Sequence, residues 1–265
     1  MDPFAKDSGP PFELFGPAHL VTLGVLALAG LSFLLLRRSP SRALRRGLRY
    51  GLAALLAINE LGWHYWVWRT GQWSIQAMLP LHLCTLSIIL SVFMLLFRSY
   101  RLFEFIYFLG LGGAIQTVMT PDLGIHDGFP HYRFFQIFIS HGGVILAVVC
   151  LLTMEGFRPT WKSLQRVVVW TNVYVILIMF LNKWLGSNYL YIAHPPPTES
   201  LIDFLGPWPW YILSMEAVGL ATCFILYLPF IIRDRHPGRA PRNPGAAGDR
   251  PAANRPGPKA GPPHS

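Results

Sequence analysis

Cys84 and His141 are the two residues whose types and setting point most directly to chemistry. Pro80 suits the first turn of a helix, so Cys84 is expected about one turn in, near the positive end of the helix dipole. Negative charge on a sulfur is favoured there, though the effect fades past the first turn. His141 lies on a separate apolar segment at a similar depth. Gly142 and Gly143 follow it and would let another backbone or a substrate come close. A thiol with an imidazole partner is the nucleophile–base pairing of acyl transfer through a thioester. The plainer reading, an inert cysteine and a satisfied core histidine, is the commoner outcome for such residues. His82 stands two positions before Cys84 and points to another helix face, which makes it a poor base for that thiol.

Other polar side chains interrupt apolar segments, where they are costly and usually mark function. They are Asn59, Glu60, His64, Gln116, Gln136, Ser140, Asn182 and Glu216. Counting from each segment's outer end, Glu60, His141 and Glu216 fall roughly 10–12 Å deep, and Cys84 and Gln116 roughly 6–8 Å. All belong to the outer half of a membrane, and the inner half is bare apart from Asn172. A polar cavity opening outward is expected, with His82, Gln116 and Glu60 as candidates for polarising a carbonyl or orienting His141. Asn59 and Asn182 could instead bridge helices. Glu60 and His64, at i and i+4, could be a structural pair. Glu216 needs a partner or a proton. His131, just before an apolar segment, is expected in the interface and solvated. Cys150 and Cys223 read as small buried hydrophobes, and no disulfide is expected. No metal site is expected, since no i, i+4 ligand pair of the HExxH kind is present.

The elements that must position these groups are apolar helices. The chain has 265 residues, 52% hydrophobic and only 13% charged, where an ordinary soluble domain has about 25% charged. That balance excludes a disordered chain and argues against a soluble domain. Apolar stretches of near-spanning length lie at about 17–36, 44–68, 79–97, 102–120, 134–153, 165–182 and 209–232. None alternates as a membrane barrel strand does. The expected class is an all-α polytopic bundle of about seven transmembrane helices.

The net charge of +9 reports orientation more than partners. Eighteen of the 22 Lys and Arg residues fall in segments 37–49, 98–101, 158–166 and after 232; the alternate segments hold only Lys6, Arg69, Arg133 and Lys183. The positive-inside rule then predicts the N-terminus outside and the C-terminus cytoplasmic. Residues 1–16 read as a short external tail without a cleavable signal peptide, because Asp2, Asp7 and Glu13 replace the basic cluster such a signal needs. Residues 233–265 are rich in Pro and Gly, carry a net +5, and read as a disordered basic cytoplasmic tail that anionic lipid would attract. No nucleic-acid motif, nucleotide loop or dinucleotide fingerprint accompanies the charge, so neither nucleic acid nor a cofactor is expected. The sequence sets no oligomeric state.

Several motifs resemble one known family. They are LPLHLC from Leu79 to Cys84, QTVMTPD from Gln116 to Asp122, FPHYRFFQIFISH from Phe129 to His141, NYLY from Asn188 to Tyr191 and LIDFLGPWPWY from Leu201 to Tyr211. Together they resemble the YwaF family of bacterial integral membrane proteins, over about residues 12–232. That family is similar to the eukaryotic transmembrane protein 164 group, described as phospholipid acyltransferases that use a Cys acyl intermediate helped by a His. The resemblance implies Cys84 as nucleophile and His141 as base, membrane phospholipid as substrate and the bacterial cytoplasmic membrane as location. An outward site lies away from cytosolic acyl-CoA, which favours a transacylase or a hydrolase. A proton-coupled transporter or a non-catalytic binding protein is the alternative.

Overall fold

The computed structural model describes residues 2–6, 8–37, 41–124, 126–196 and 201–234. The expected tail at 233–265 therefore lies, apart from Arg233 and Asp234, outside the described residues. The architecture is helical, with no strand among the described residues. The helices are α1 (Pro17–Leu36), α2 (Arg42–Arg69), α3 (Leu83–Phe97), α4 (Tyr100–Phe105), α5 (Leu111–Met119), α6 (Tyr132–Met154), α7 (Trp161–Leu185) and α8 (Trp210–Asp234). A π-helical turn, Ile106–Gly110, joins α4 to α5 into one rod. Five rods are long and apolar enough to cross a membrane: α1, α4–α5, α6, α7 and α8. Helix α2 carries three buried or half-buried charges, and α3 has only 15 residues, so those two fall short on composition and length respectively.

Neighbouring rods alternate in direction, which divides the bundle into two ends. One end collects arginines. There Arg45 donates to the Met154 carbonyl (3.1 Å), Arg98 pairs with Glu155, and Arg158 grips both oxygens of Asp234 at 2.9 and 2.7 Å. Buried Glu104 accepts from Ser163 at 2.5 Å and pairs with Arg166. That half is therefore not bare. Arg49, Glu104 and Arg158 are buried where only Asn172 was expected: Arg166 on α7 and Asp234 on α8 bring an opposite charge to Glu104 and Arg158, and Arg49 lies 5.3 Å from the Tyr50 ring centre.

The core sits on α6, whose buried residues form a nearly complete stripe against α1, α2, α3 and the π turn. Gly142 and Gly143 serve this packing. A Cβ at Gly142 would lie 2.5 Å from Leu26, and one at Gly143 2.6 Å from Leu56. The close approach anticipated from the sequence is thus made here by side chains of α1 and α2.

At the end opposite the arginines, the N-terminal segment is docked. Gly9 donates to the His126 carbonyl (2.8 Å), Tyr132 to Pro3 (2.9 Å) and the Trp66 indole to Phe4 (2.7 Å). His131 is buried beneath it, not solvated. Its Nε2 lies 2.9 Å from the Ala5 carbonyl and its Nδ1 3.1 Å from Asp127. A buried imidazole needs two partners, and the docked segment supplies one of them.

Candidate functional site

Helix α3 begins at Leu83, with His82 as its N-cap, so Pro80 lies in the turn before the helix instead of in its first turn. Two tyrosines hold that turn open. The Tyr189 hydroxyl donates to the Ile75 carbonyl (2.5 Å) and accepts from the Leu79 amide (3.0 Å), and Tyr174 donates to the Leu81 carbonyl (2.7 Å). Cys84 is consequently the second helical residue, closer to the unpaired amides of the helix start than the sequence suggested.

Cys84 is exposed, and what it is exposed to is a cavity of 350 Å³ between α3, α7 and α8. Two helical stripes build the walls. From α8 they are Ile212, Met215, Glu216, Gly219, Leu220 and Cys223; from α7 they are Val167, Val168, Thr171, Asn172 and Val175. Both follow the i, i+3, i+4 spacing that places residues on one helix face. His82, Leu83, Leu109 and the Leu190–Ile192 turn complete the lining. The polar groups are few and the remainder is apolar, the composition of a site for a largely apolar ligand.

The Tyr191 ring lies against the His82 ring at 5.2 Å between centroids. Leu190 and Tyr191 both adopt left-handed backbone, with φ of 61° and 54°. This conformation costs non-glycine residues roughly 1–2 kcal/mol each, and such strain persists where surrounding contacts over-determine it. Asn182 supplies those contacts: it donates to the Tyr189 carbonyl (2.9 Å) and accepts from the Tyr189 amide and the Ser187 hydroxyl, both at 2.8 Å. Tyr211 donates to the Tyr191 carbonyl. Burial, then the charges of Asp122 and Cys84, push the Tyr191 phenol up, so it stays a neutral hydrogen-bond donor. Tyr191 was legible only as part of the NYLY string; nothing in its spacing assigns it to a cavity wall.

Of the residues singled out in the sequence, the cavity gathers His82, Cys84 and Glu216. His82 shares the cavity with Cys84 despite its different helical position, because it precedes the helix and is not bound by helical spacing. Glu216 is exposed to the cavity. Asn182 stands behind the site, bracing the Tyr189–Tyr191 turn. Gln116 is exposed on α5 and outside this lining.

Asn59, Glu60 and His141 belong to a different seam, between α2 and α6. The Asn59 amide donates to the Gln136 carbonyl (3.1 Å) and the Ser140 hydroxyl (2.8 Å). Glu60 is buried, and its Oε1 approaches His64 Nε2 at 3.5 Å. His141 is half-buried, with Nδ1 3.0 Å from the Ile137 carbonyl. A carbonyl only accepts, so Nδ1 carries the proton and Nε2 keeps its lone pair. Among the described residues no hydrogen bond joins His141 to Cys84, although their helices α3 and α6 pack against each other. No group of three or more His, Cys, Asp or Glu side chains among the described residues could hold a metal ion.

No solved structure matches the chain. A protein of Treponema pallidum (strain Nichols), described as uncharacterized, is 28% identical over 222 residues, which cover 83% of this chain and 90% of the relative. A sequence profile matches residues 14–227, a stretch that begins at the docked N-terminal segment and takes in every wall of the Cys84 cavity. That profile describes the TMEM164 family, and with five membrane-length apolar helices beside it, the chain belongs to the TMEM164 family of membrane proteins.

Proposed function

We propose that this protein is a multi-pass membrane enzyme that moves acyl chains between lipids through a thioester on Cys84. One observation carries the reading: an accessible thiol at a helix start forms part of the wall of an otherwise apolar cavity in the bundle. On this reading all seven helical rods span the bacterial cytoplasmic membrane. The arginine-rich end is cytoplasmic and the Cys84 end faces outward, as the split of basic residues requires. Membrane phospholipid is then the acyl donor.

On this reading His141 is the base: its Nε2 keeps a lone pair while Nδ1 donates to the Ile137 carbonyl, and it must reach the thiol from the α2–α6 seam, outside the cavity lining. It accepts the thiol proton as the sulfur attacks the ester carbonyl. The carbon–oxygen bond of the ester breaks, and the departing alkoxide takes that proton from His141 to leave a lysolipid. An acceptor hydroxyl then attacks the thioester, gives its proton to His141, and releases the sulfur as thiolate. His82 and the neutral Tyr191 phenol are the groups nearest to hand for polarising the carbonyl, and Gln116 and Glu60 are more remote candidates. Glu216 is suited to orienting the acceptor hydroxyl.

Lipid analysis of a deletion strain complemented with wild type, Cys84→Ala or His141→Ala tests this. Wild type is expected to restore the acyl pattern and both variants to fail. Full rescue by both overturns the dyad; rescue by His141→Ala alone, with failure of His82→Ala, transfers the base role to His82. The buried carboxylate of Glu60 favours the proton-coupled transporter as second reading. Solute flux into reconstituted vesicles that Glu60→Gln abolishes and Cys84→Ala spares would establish it.

A further inference from the structure

The cavity is graded along its length. Its ionisable side chains are His82, Cys84, Tyr191 and Glu216, with the His82 and Tyr191 rings in contact beside the start of α3. Beyond Glu216 the walls carry no charge: Gly219, Leu220, Cys223, Val167, Val168 and Leu109 are apolar or small, and Thr171 and Asn172 donate back to the Val167 and Val168 carbonyls of their own helix. The α8 stripe runs from Ile212 to Cys223, which at the helical rise is roughly 16 Å. Half of a bilayer's hydrocarbon core is about 15 Å. The cavity therefore matches the length of one leaflet's acyl chain, and its polarity matches a chain held with its carboxyl end at the sulfur.

One wall position is open. A Cβ built on Gly219 meets nothing within 4 Å, although the residue sits in the lining one helical turn below Glu216. The neighbouring Leu220 lines the same level. A side chain at 219 therefore starts into the cavity without a clash at its Cβ, whereas a smaller one at 220 would widen the cavity.

We propose that the lower cavity is an acyl-chain site and that Gly219 and Leu220 set the chain length it accepts. The proposal rests on the acyl-transfer reading for its biological setting, but the site can be measured without any turnover. Full-length protein in nanodiscs is treated with N-ethyl-, N-decyl- or N-hexadecylmaleimide, and the rate of Cys84 modification is followed by mass spectrometry. The alkyl tail must enter the cavity as the thiol adds, and N-ethylmaleimide normalises for folding and thiol exposure. In wild type the hexadecyl and decyl reagents are expected to react at similar rates. Gly219→Leu should slow the hexadecyl reagent on the order of tenfold or more relative to decyl, with N-ethylmaleimide unchanged. Leu220→Ala should shift the ratio the other way.

Equal hexadecyl-to-decyl ratios in wild type and Gly219→Leu, at an unchanged N-ethylmaleimide rate, overturn the proposal. If Gly219→Leu loses its N-ethylmaleimide reaction through misfolding, Leu220→Ala decides, and an unshifted ratio there overturns it equally. Ratios that shift in a protein unable to transfer acyl groups sink the thioester reading and leave the chain site standing.

Discussion

The α2–α6 seam and the Cys84 cavity both place polar side chains among apolar helices, but they treat them oppositely. In the seam the amide and hydroxyl groups are largely paired. Asn59 uses both amide hydrogens, Ser140 accepts from Asn59 and Gln136 and donates to the Gln136 carbonyl, and Gln136 also accepts from Arg133. Arg133 in turn lies 4.2 Å over the Trp63 ring. In the cavity Cys84 and Glu216 are exposed on the wall, and the groups that brace the site lie behind it. Polar groups that satisfy one another stabilise a bundle, and those left facing a cavity are available to a ligand. Composition and depth make the two regions look alike; the pairing of Asn59, Gln136 and Ser140 separates them, with the buried Glu60 carboxylate the exception within the seam.

This contrast can be broken from either side. The largest expected effect is at the thiol. Cys84→Ala should lower acyl transfer on the order of a thousandfold or more while leaving the thermal unfolding midpoint unchanged, since the side chain contacts a cavity. A stability loss with retained transfer would move Cys84 into the structural class. Next is the brace. Asn182→Ala leaves the Tyr189 amide and carbonyl without their partner and should cost about 2–3 kcal/mol, read from denaturant unfolding, with the mobility of the Tyr189–Tyr191 turn raised. In the seam, Asn59→Leu removes hydrogen bonds that average less than 1 kcal/mol each in membrane proteins. It should lower stability by about 1 kcal/mol and spare transfer; a loss of transfer at full stability would give Asn59 a role in the site. The smallest expected effect is at Glu216. Glu216→Gln should stay within about 0.5 kcal/mol of wild type but reduce the rate of thioester resolution, measured as acyl-enzyme accumulating in intact mass spectra.

Much of the helical layout was legible because long apolar stretches punctuated by arginine clusters leave the backbone few alternatives. Residues 165–182 read short of the observed Trp161–Leu185 because the capping box at Thr160 and Ser163, not apolarity, starts that helix. Residues 79–82 read as helix but form a turn, since the tyrosines that hold them come from 93 to 114 residues away. The site was legible as residue types at one depth. Which of them share a cavity was not, because facing stripes on α7 and α8 are set by packing. Gly142 and Gly143 show the same limit: a small residue announces close approach but not what approaches.

By itself, the sequence determined that this chain is a helical membrane-type protein. Backbone groups surrounded by apolar side chains must bond within their own helix, and that constraint acts locally. The tertiary structure decided that His131 is buried under the N-terminal segment, that Asn59 ties a seam while Asn182 braces a turn, and that His82, Cys84 and Glu216 open onto one cavity. Those outcomes depend on partners distant in the chain, and only the packing of whole helices chooses among them.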